Sequence, residues 1–171
     1  MIKIWSDFGQ NGKENLNLAN NSLGAAPGHK VWHGLRKLES LHLTGNHIPI
    51  ITTENFKNLK SLKRLFLDDN RIGNFDFRSH SIYFRSRKPN FISVAIEENG
   101  FGELEVLEEL DLSQNRLAKI MKSRLHKLTK LKSLDLRENQ IKIIEATSMD
   151  DLESLKSLDL GNGSSVTCWS L

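Results

Sequence analysis

The stretch LKSLDLRENQI, Leu131 to Ile141, spaces its apolar residues in a way that neither regular element explains. Leu131 and Leu134 are three apart, Leu134 and Leu136 two apart, and Asn139 follows three later. A helix returns its apolar face every three or four residues, and a plain strand every second one. The two-residue step fits a short strand with both leucines on one face. The Asn stands where the chain turns away.

The pattern recurs as ENLNLANNSL, LESLHLTGNHI, LKRLFLDDNRI, LEELDLSQNRL and LKSLDLGNGSSV. Its corner residues are Asn21, Asn46, Asn70, Asn115 and Asn139, with Gly163 in that place in the last copy, at separations of 25, 24, 45, 24 and 24. The remaining apolar positions repeat as well. After Asn46 they are Ile48, Ile51, Phe56, Leu59, Leu62, Leu65 and Leu67; after Asn115 they are Leu117, Ile120, Leu125, Leu128, Leu131, Leu134 and Leu136. After Asn139 they are Ile141, Ile144, Met149, Leu152, Leu155, Leu158 and Leu160. A period of about 20–29 residues with LxxLxLxxN at its centre is a repeat signature in which each coil stacks on its neighbours.

On these residues the chain resembles the leucine-rich-repeat family over nearly its whole length. The resemblance implies an α/β fold, a curved right-handed solenoid with a parallel concave β-sheet and about six or seven repeats, one of them degenerate. The period, with Phe56 or Phe101 on the return, is similar to the typical class found in chaoptin, Toll-like receptors and the small proteoglycans. That class implies an extracellular receptor or cell-adhesion ectodomain. In such a coil the corner Asn hydrogen-bonds the backbone of adjacent loops and satisfies polar groups that burial would strand.

The 171 residues suit one domain, 38% hydrophobic and 26% charged, in the range of globular proteins. No apolar run is long enough to span a bilayer, and MIKIWSDFGQ lacks the core of a secretory signal. The net charge of +3 falls short of a nucleic-acid footprint. Cys168 is the only cysteine, so no internal disulfide forms. A cytoplasmic scaffold or adaptor accounts for that most simply, and a piece cut from a longer disulfide-capped ectodomain accounts for it equally. The repeat class tips the balance to the cell surface.

The interval from Asn70 to Asn115 breaks the period. Taking Asn90 as a missing corner puts Arg85 and Arg87 at inward positions, whereas taking Asn99 leaves too few residues before Asn115. The first register is preferred, as a degenerate repeat with a bulge, so residues 73–100 read as irregular. RSHSIYFRSRKPN interleaves Arg78, Arg85, Arg87 and Lys88 with Tyr83 and Phe84. As a functional patch it would take phosphate, nucleic acid or an acidic partner. A solvated insertion is the preferred reading, with a mis-joined exon as a third. Residues 1–12 and 161–171 read as frayed ends, and each uncovered leucine there forgoes about 1.5–3 kcal/mol of burial. From the uncapped ends the expectation is a fragment, monomeric or associating through those ends.

No catalytic constellation is present. Gly12 and Lys13 lack phosphate-loop spacing. The six histidines and Cys168 form no metal set. His29 and His33 stand four apart, but Pro27, Gly28 and Gly34 oppose a helix there. The expectation is therefore a non-enzymatic protein with no cofactor, no metal, no nucleic acid and no membrane segment, binding a protein ligand or receptor partner.

Residues alternating with the inward leucines face the concave side. The middle column reads Asn17, His42, Phe66, Asp111, Asp135 and Asp159; one flank carries Arg64, and the other carries Thr44, Asp68 and Arg137. Seven coils about 4.8 Å apart make a sheet about 29 Å wide, enough for a standard-size interface. Phe66 beside His42 is a candidate anchor, or else a lone surface ring covered by the irregular segment. The stacked aspartates repel one another, which a basic partner would relieve; a solvated acidic stripe offset by Arg137 is the plainer reading. A calcium site there has too few ligands. Asn20 and Asn162 head candidate glycosylation sequons.

Overall fold

A computed structural model of the chain describes residues 14–73, 95–161 and 167–169. The elements in chain order are β1 (Asn15–Asn17), β2 (Ser40–His42), β3 (Arg64–Phe66), β4 (Glu109–Asp111), β5 (Lys119–Ile120), α1 (Lys122–Leu125), β6 (Ser133–Asp135), β7 (Ile143–Glu145), β8 (Ser157–Asp159) and β9 (Thr167–Trp169). Six of them, β1-β2-β3-β4-β6-β8, lie side by side as one parallel sheet, and β5-β7-β9 form a second. Each strand of the large sheet is three residues long because the leucine step that builds it soon meets the corner. The returns are turns, with α1 the single α-helix among the described residues.

The register confirms the repeat. Leu16, Leu41, Leu65, Leu110, Leu134 and Leu158 are successive partners across the sheet. The leucines two residues on, among them Leu43, Leu67, Leu112 and Leu136, join them in one continuous buried core. On the return side Trp32, Phe56 and Phe101 are buried, and the Phe56 and Phe101 rings stack at 5.9 Å. The indole N–H of Trp32 donates to the carbonyl of Asn55, so the largest core side chain leaves no polar atom stranded. Leu158 is the exception: on the edge strand β8 it is 40% exposed, whereas Leu65 is fully covered.

The corner asparagines bind the coils together. Asn70 donates to the carbonyls of Leu43 (2.9 Å), Leu67 (2.9 Å) and Asp68 (3.1 Å) and accepts from the N–H groups of Asn46 and Ile48. Asn46 does the same between Leu18 and Leu43, and Asn139 between Leu112 and Leu136. Asn115 reaches Leu67 and Leu112. A carboxamide suits the place because it donates two N–H groups while its oxygen accepts. Asn21 at the first corner makes similar donor bonds but is exposed.

The extra coil expected around Asn90 has no place in the sheet. β3 pairs directly with β4, and Ile72 N–H donates to Asn115 Oδ1 at 2.9 Å. Phe101 stacking on Phe56 says the same on the return side. The coil is interrupted rather than duplicated. Gly73 N–H donates to Pro49 O (3.3 Å), while Ile51 N–H donates to Ala95 O (3.0 Å) and Glu97 N–H to Ile51 O (2.8 Å). Gly73 and Ala95 thus align with neighbouring positions of the preceding coil. Removing residues 74–94 from the count turns the interval of 45 into the ordinary period of 24. Arg78, Tyr83, Phe84, Arg85, Arg87, Lys88 and Asn90 lie outside the described residues, as does Asn162. Asn99 is no corner either: it lies on the return, where its N–H donates to Ser123 O. At Gly73 the backbone passes so close that an added Cβ would lie 2.1 Å from Arg116 O.

At the far end β9 pairs with β7, Ile144 opposite Cys168, so the repeat register persists into Thr167–Trp169.

Candidate binding surface

The large sheet presents three aligned columns of side chains. The register places Asn17, His42, Phe66, Asp111, Asp135 and Asp159 in one line, flanked by Asn15, Ser40, Arg64, Glu109, Ser133 and Ser157. Thr44, Asp68, Ser113 and Arg137 follow two residues beyond the central line.

The N-terminal half of the central line is aromatic and neutral-polar. The His42 and Phe66 rings stack at 4.3 Å with 13° between their planes, and His42 Nε2 lies 3.3 Å from Ser40 Oγ. Both rings are half-buried, so the pair forms a firm apolar step on an otherwise polar surface. The Thr44 hydroxyl donates to Asp68 Oδ1 at 2.8 Å. Arg64 turns toward the first coil, where its Nη2 donates to Asn15 Oδ1 at 3.3 Å.

The C-terminal half is acidic, and the aspartates have a structural task as well. Each directs one oxygen at the N–H two residues on: Asp111 at Ser113 (2.9 Å), Asp135 at Arg137 (3.0 Å) and Asp159 at Gly161 (2.9 Å). Asn17 does likewise for Ala19 at 2.9 Å. These Asx turns close the end of each strand. Reading the column for charge alone missed this acceptor role; the recurring Asp-Leu-X after a strand leucine was the available signal.

Charge on this face is uneven. Burial pushes the Asp111 carboxyl above its ordinary range, the bonds from Ser113 oppose that, and Asp68 and Asp135 add to it. Arg137 serves the two carboxylates farther along, 2.7 Å from Asp135 and 3.5 Å from Asp159. Its hydrogen bond to Asp135 holds its guanidinium charged still more firmly.

Beside the columns, Lys63 pairs with Glu39 at 2.5 Å and Lys132 with Glu108 at 2.8 Å, linking successive coils at the exposed entrance to the strands. Such pairs add little to stability individually.

Other sequence candidates fall elsewhere. His29 turns to Glu54 at 2.6 Å rather than to His33. Among the described residues no group of His, Cys, Asp or Glu is arranged to hold a metal ion, and no helix is long and apolar enough to cross a membrane. An open depression of about 490 Å³ lies on the return side between Glu98, Met121, Lys122, His126 and Glu145, far from the columns. Asn20 is exposed.

No curated protein matches the chain. The family model for leucine rich repeats matches residues 14–72 and 105–162, more than half of the sequence, and leaves the interrupted interval between its two segments. The stacked coils, the shared register and this match have one conclusion: the chain belongs to the leucine-rich-repeat family.

Proposed function

We propose that the chain binds a protein partner on its concave face, through His42, Thr44, Arg64, Phe66, Asp68, Asp111, Asp135, Arg137 and Asp159, as part of an extracellular receptor or cell-adhesion ectodomain. Family membership supports a protein-interaction module in general. The observation that supports recognition on this face is the six-stranded sheet with its side-chain columns in register, an aromatic step in one half and carboxylates in the other. At about 4.8 Å per strand it offers a surface about 24 Å across. Aromatic anchors beside charged groups are what interface hot spots are made of. The partner's facing surface is basic toward β6 and β8.

The test is a binding screen of purified extracellular proteins against the immobilised chain, repeated with Phe66→Ala and Asp135→Arg. Binding that falls about tenfold or more in both variants supports the reading. Binding that survives both, yet is lost on Lys127→Glu in the return, contradicts it.

The lone cysteine favours a second reading, a cytoplasmic scaffold using the same face. Expression through the secretory route separates the two. An ectodomain emerges folded and carries glycan at exposed Asn20, lost in Asn20→Gln. A scaffold is retained and degraded.

A further inference from the structure

The seam between β3 and β4 sets an aromatic ring and a carboxylate in one register position, Phe66 beside Asp111. His42, on the β2 side, covers one face of the Phe66 ring. The second face is therefore directed along the sheet toward Asp111. Asp68, two residues beyond Phe66, lies near enough to Asp111 to act on its charge. Neither carboxylate has a cation in ion-pair contact with it among the described residues; the Arg137 charge is felt at Asp111, but its contacts are made elsewhere. Arg64 reaches back to Asn15, and Arg137 reaches forward to Asp135 and Asp159. The neighbouring hydroxyl and N–H groups of Thr44 and Ser113 fix the two carboxylates in place without neutralising them.

Resting on the concave-face reading above, we propose that this seam seats one arginine side chain of the protein partner, its guanidinium plane stacked on the open face of Phe66 and its N–H groups donating to Asp111 and Asp68.

Charge complementarity selects the occupant. The chain carries a net charge of +3, yet Asp68, Glu109, Asp111, Asp135 and Asp159 outnumber Arg64 and Arg137 on this face. A partner that covers it without bringing a cation leaves Asp111 desolvated and unpaired, the costly arrangement for a charged group. The geometry distinguishes arginine from lysine. A planar, weakly hydrated guanidinium lies flat on a ring and spreads its donors in a fork that spans two carboxylates. An ammonium group is compact and strongly hydrated, and it meets the ring or the carboxylates less completely.

The probe is a capped Gly-Gly-Arg-Gly-Gly peptide, with its lysine counterpart, titrated into the whole chain and followed by NMR. The arginine peptide is expected to shift the Phe66 ring and Ser113 amide resonances, with the lysine peptide about two- to fivefold weaker. Phe66→Leu is expected to erase the preference for arginine. Asp111→Asn keeps the Ser113 bond and is expected to weaken both peptides. Unchanged methyl resonances of Leu65 and Leu110 show that each variant is folded. Equal response to the two peptides at the sheet overturns the arginine seat while leaving concave binding intact. No shift at Phe66 also overturns it. Shifts confined to the returns count against both readings.

Discussion

Asn46 and Asn70 hold successive corners together: Asn46 N–H donates to Asn70 Oδ1 at 3.1 Å, and the carbonyl of Leu43 accepts from both carboxamides. Neither corner is complete without its neighbour, so the asparagines act as a ladder along the solenoid.

Asn70→Ala strands up to five hydrogen bonds, two into the oxygen and three from the nitrogen, at a buried site. Stranded buried groups cost about 1–3 kcal/mol each, and relaxation and water recover part of that. The expected loss in urea unfolding is about 3 kcal/mol. Asn21→Ala, at an exposed corner, is expected to lose under about 1 kcal/mol. Equal losses contradict the ladder.

Joining Gly73 directly to Ala95 by deleting residues 74–94 is expected to preserve the fold. The two residues align with adjacent positions of the preceding coil, so an ordinary peptide bond between them keeps the coil register. Relief of loop closure raises stability by about 1–3 kcal/mol. Circular dichroism and thermal unfolding check this: an unchanged spectrum with an equal or higher Tm is predicted, and loss of cooperative unfolding contradicts the coil register.

Most of this architecture is legible in the residues. The leucine steps and corner asparagines give the strands, their register and the outward columns, because a stacked coil has few ways to bury that spacing. The interrupted coil is harder to read. Residues 74–94 mimic a poor repeat, and 45 lies close to twice the period. The return residues Phe101, Leu104 and Leu107 hold the solution, since they follow Asn70 at the usual offsets once 74–94 are set aside. Exposure of Leu158 is not legible either, because its local pattern matches that of Leu134. What differs is position in the sheet: β6 has a strand on each side, and β8 is at the edge.

Asp111→Asn separates charge from hydrogen bonding. Burial, with Asp68 and Asp135 nearby, raises the Asp111 carboxyl, so the folded state binds its proton more tightly than the unfolded chain. The charged form therefore costs stability above the raised pKa. That cost fades as pH falls through the window between the raised pKa and the ordinary one. Asparagine retains the acceptor for Ser113, as Asn17 does for Ala19. The variant is expected to be the more stable at neutral pH and to lose that advantage as pH falls through this window. An advantage that grows on acidification contradicts the assignment.

Ser148 is 2% exposed, and its hydroxyl is the buried side-chain polar atom without a hydrogen-bond partner among the described residues. Ser148→Ala removes that unsatisfied group at little change in volume. Thermal unfolding is expected to show equal or higher stability, by up to about 1 kcal/mol. A loss of more than that shows that the hydroxyl is satisfied in solution.

The most direct test of the central claim is hydrogen exchange of the chain, free and bound to the partner from the binding screen. Concave recognition predicts that bound-state protection increases across residues 40–44, 64–68, 109–113 and 133–137, strongest around Phe66 and Asp111, with the returns around Leu59 and Leu128 unchanged. Protection that appears on the returns while the strand segments exchange as before contradicts it.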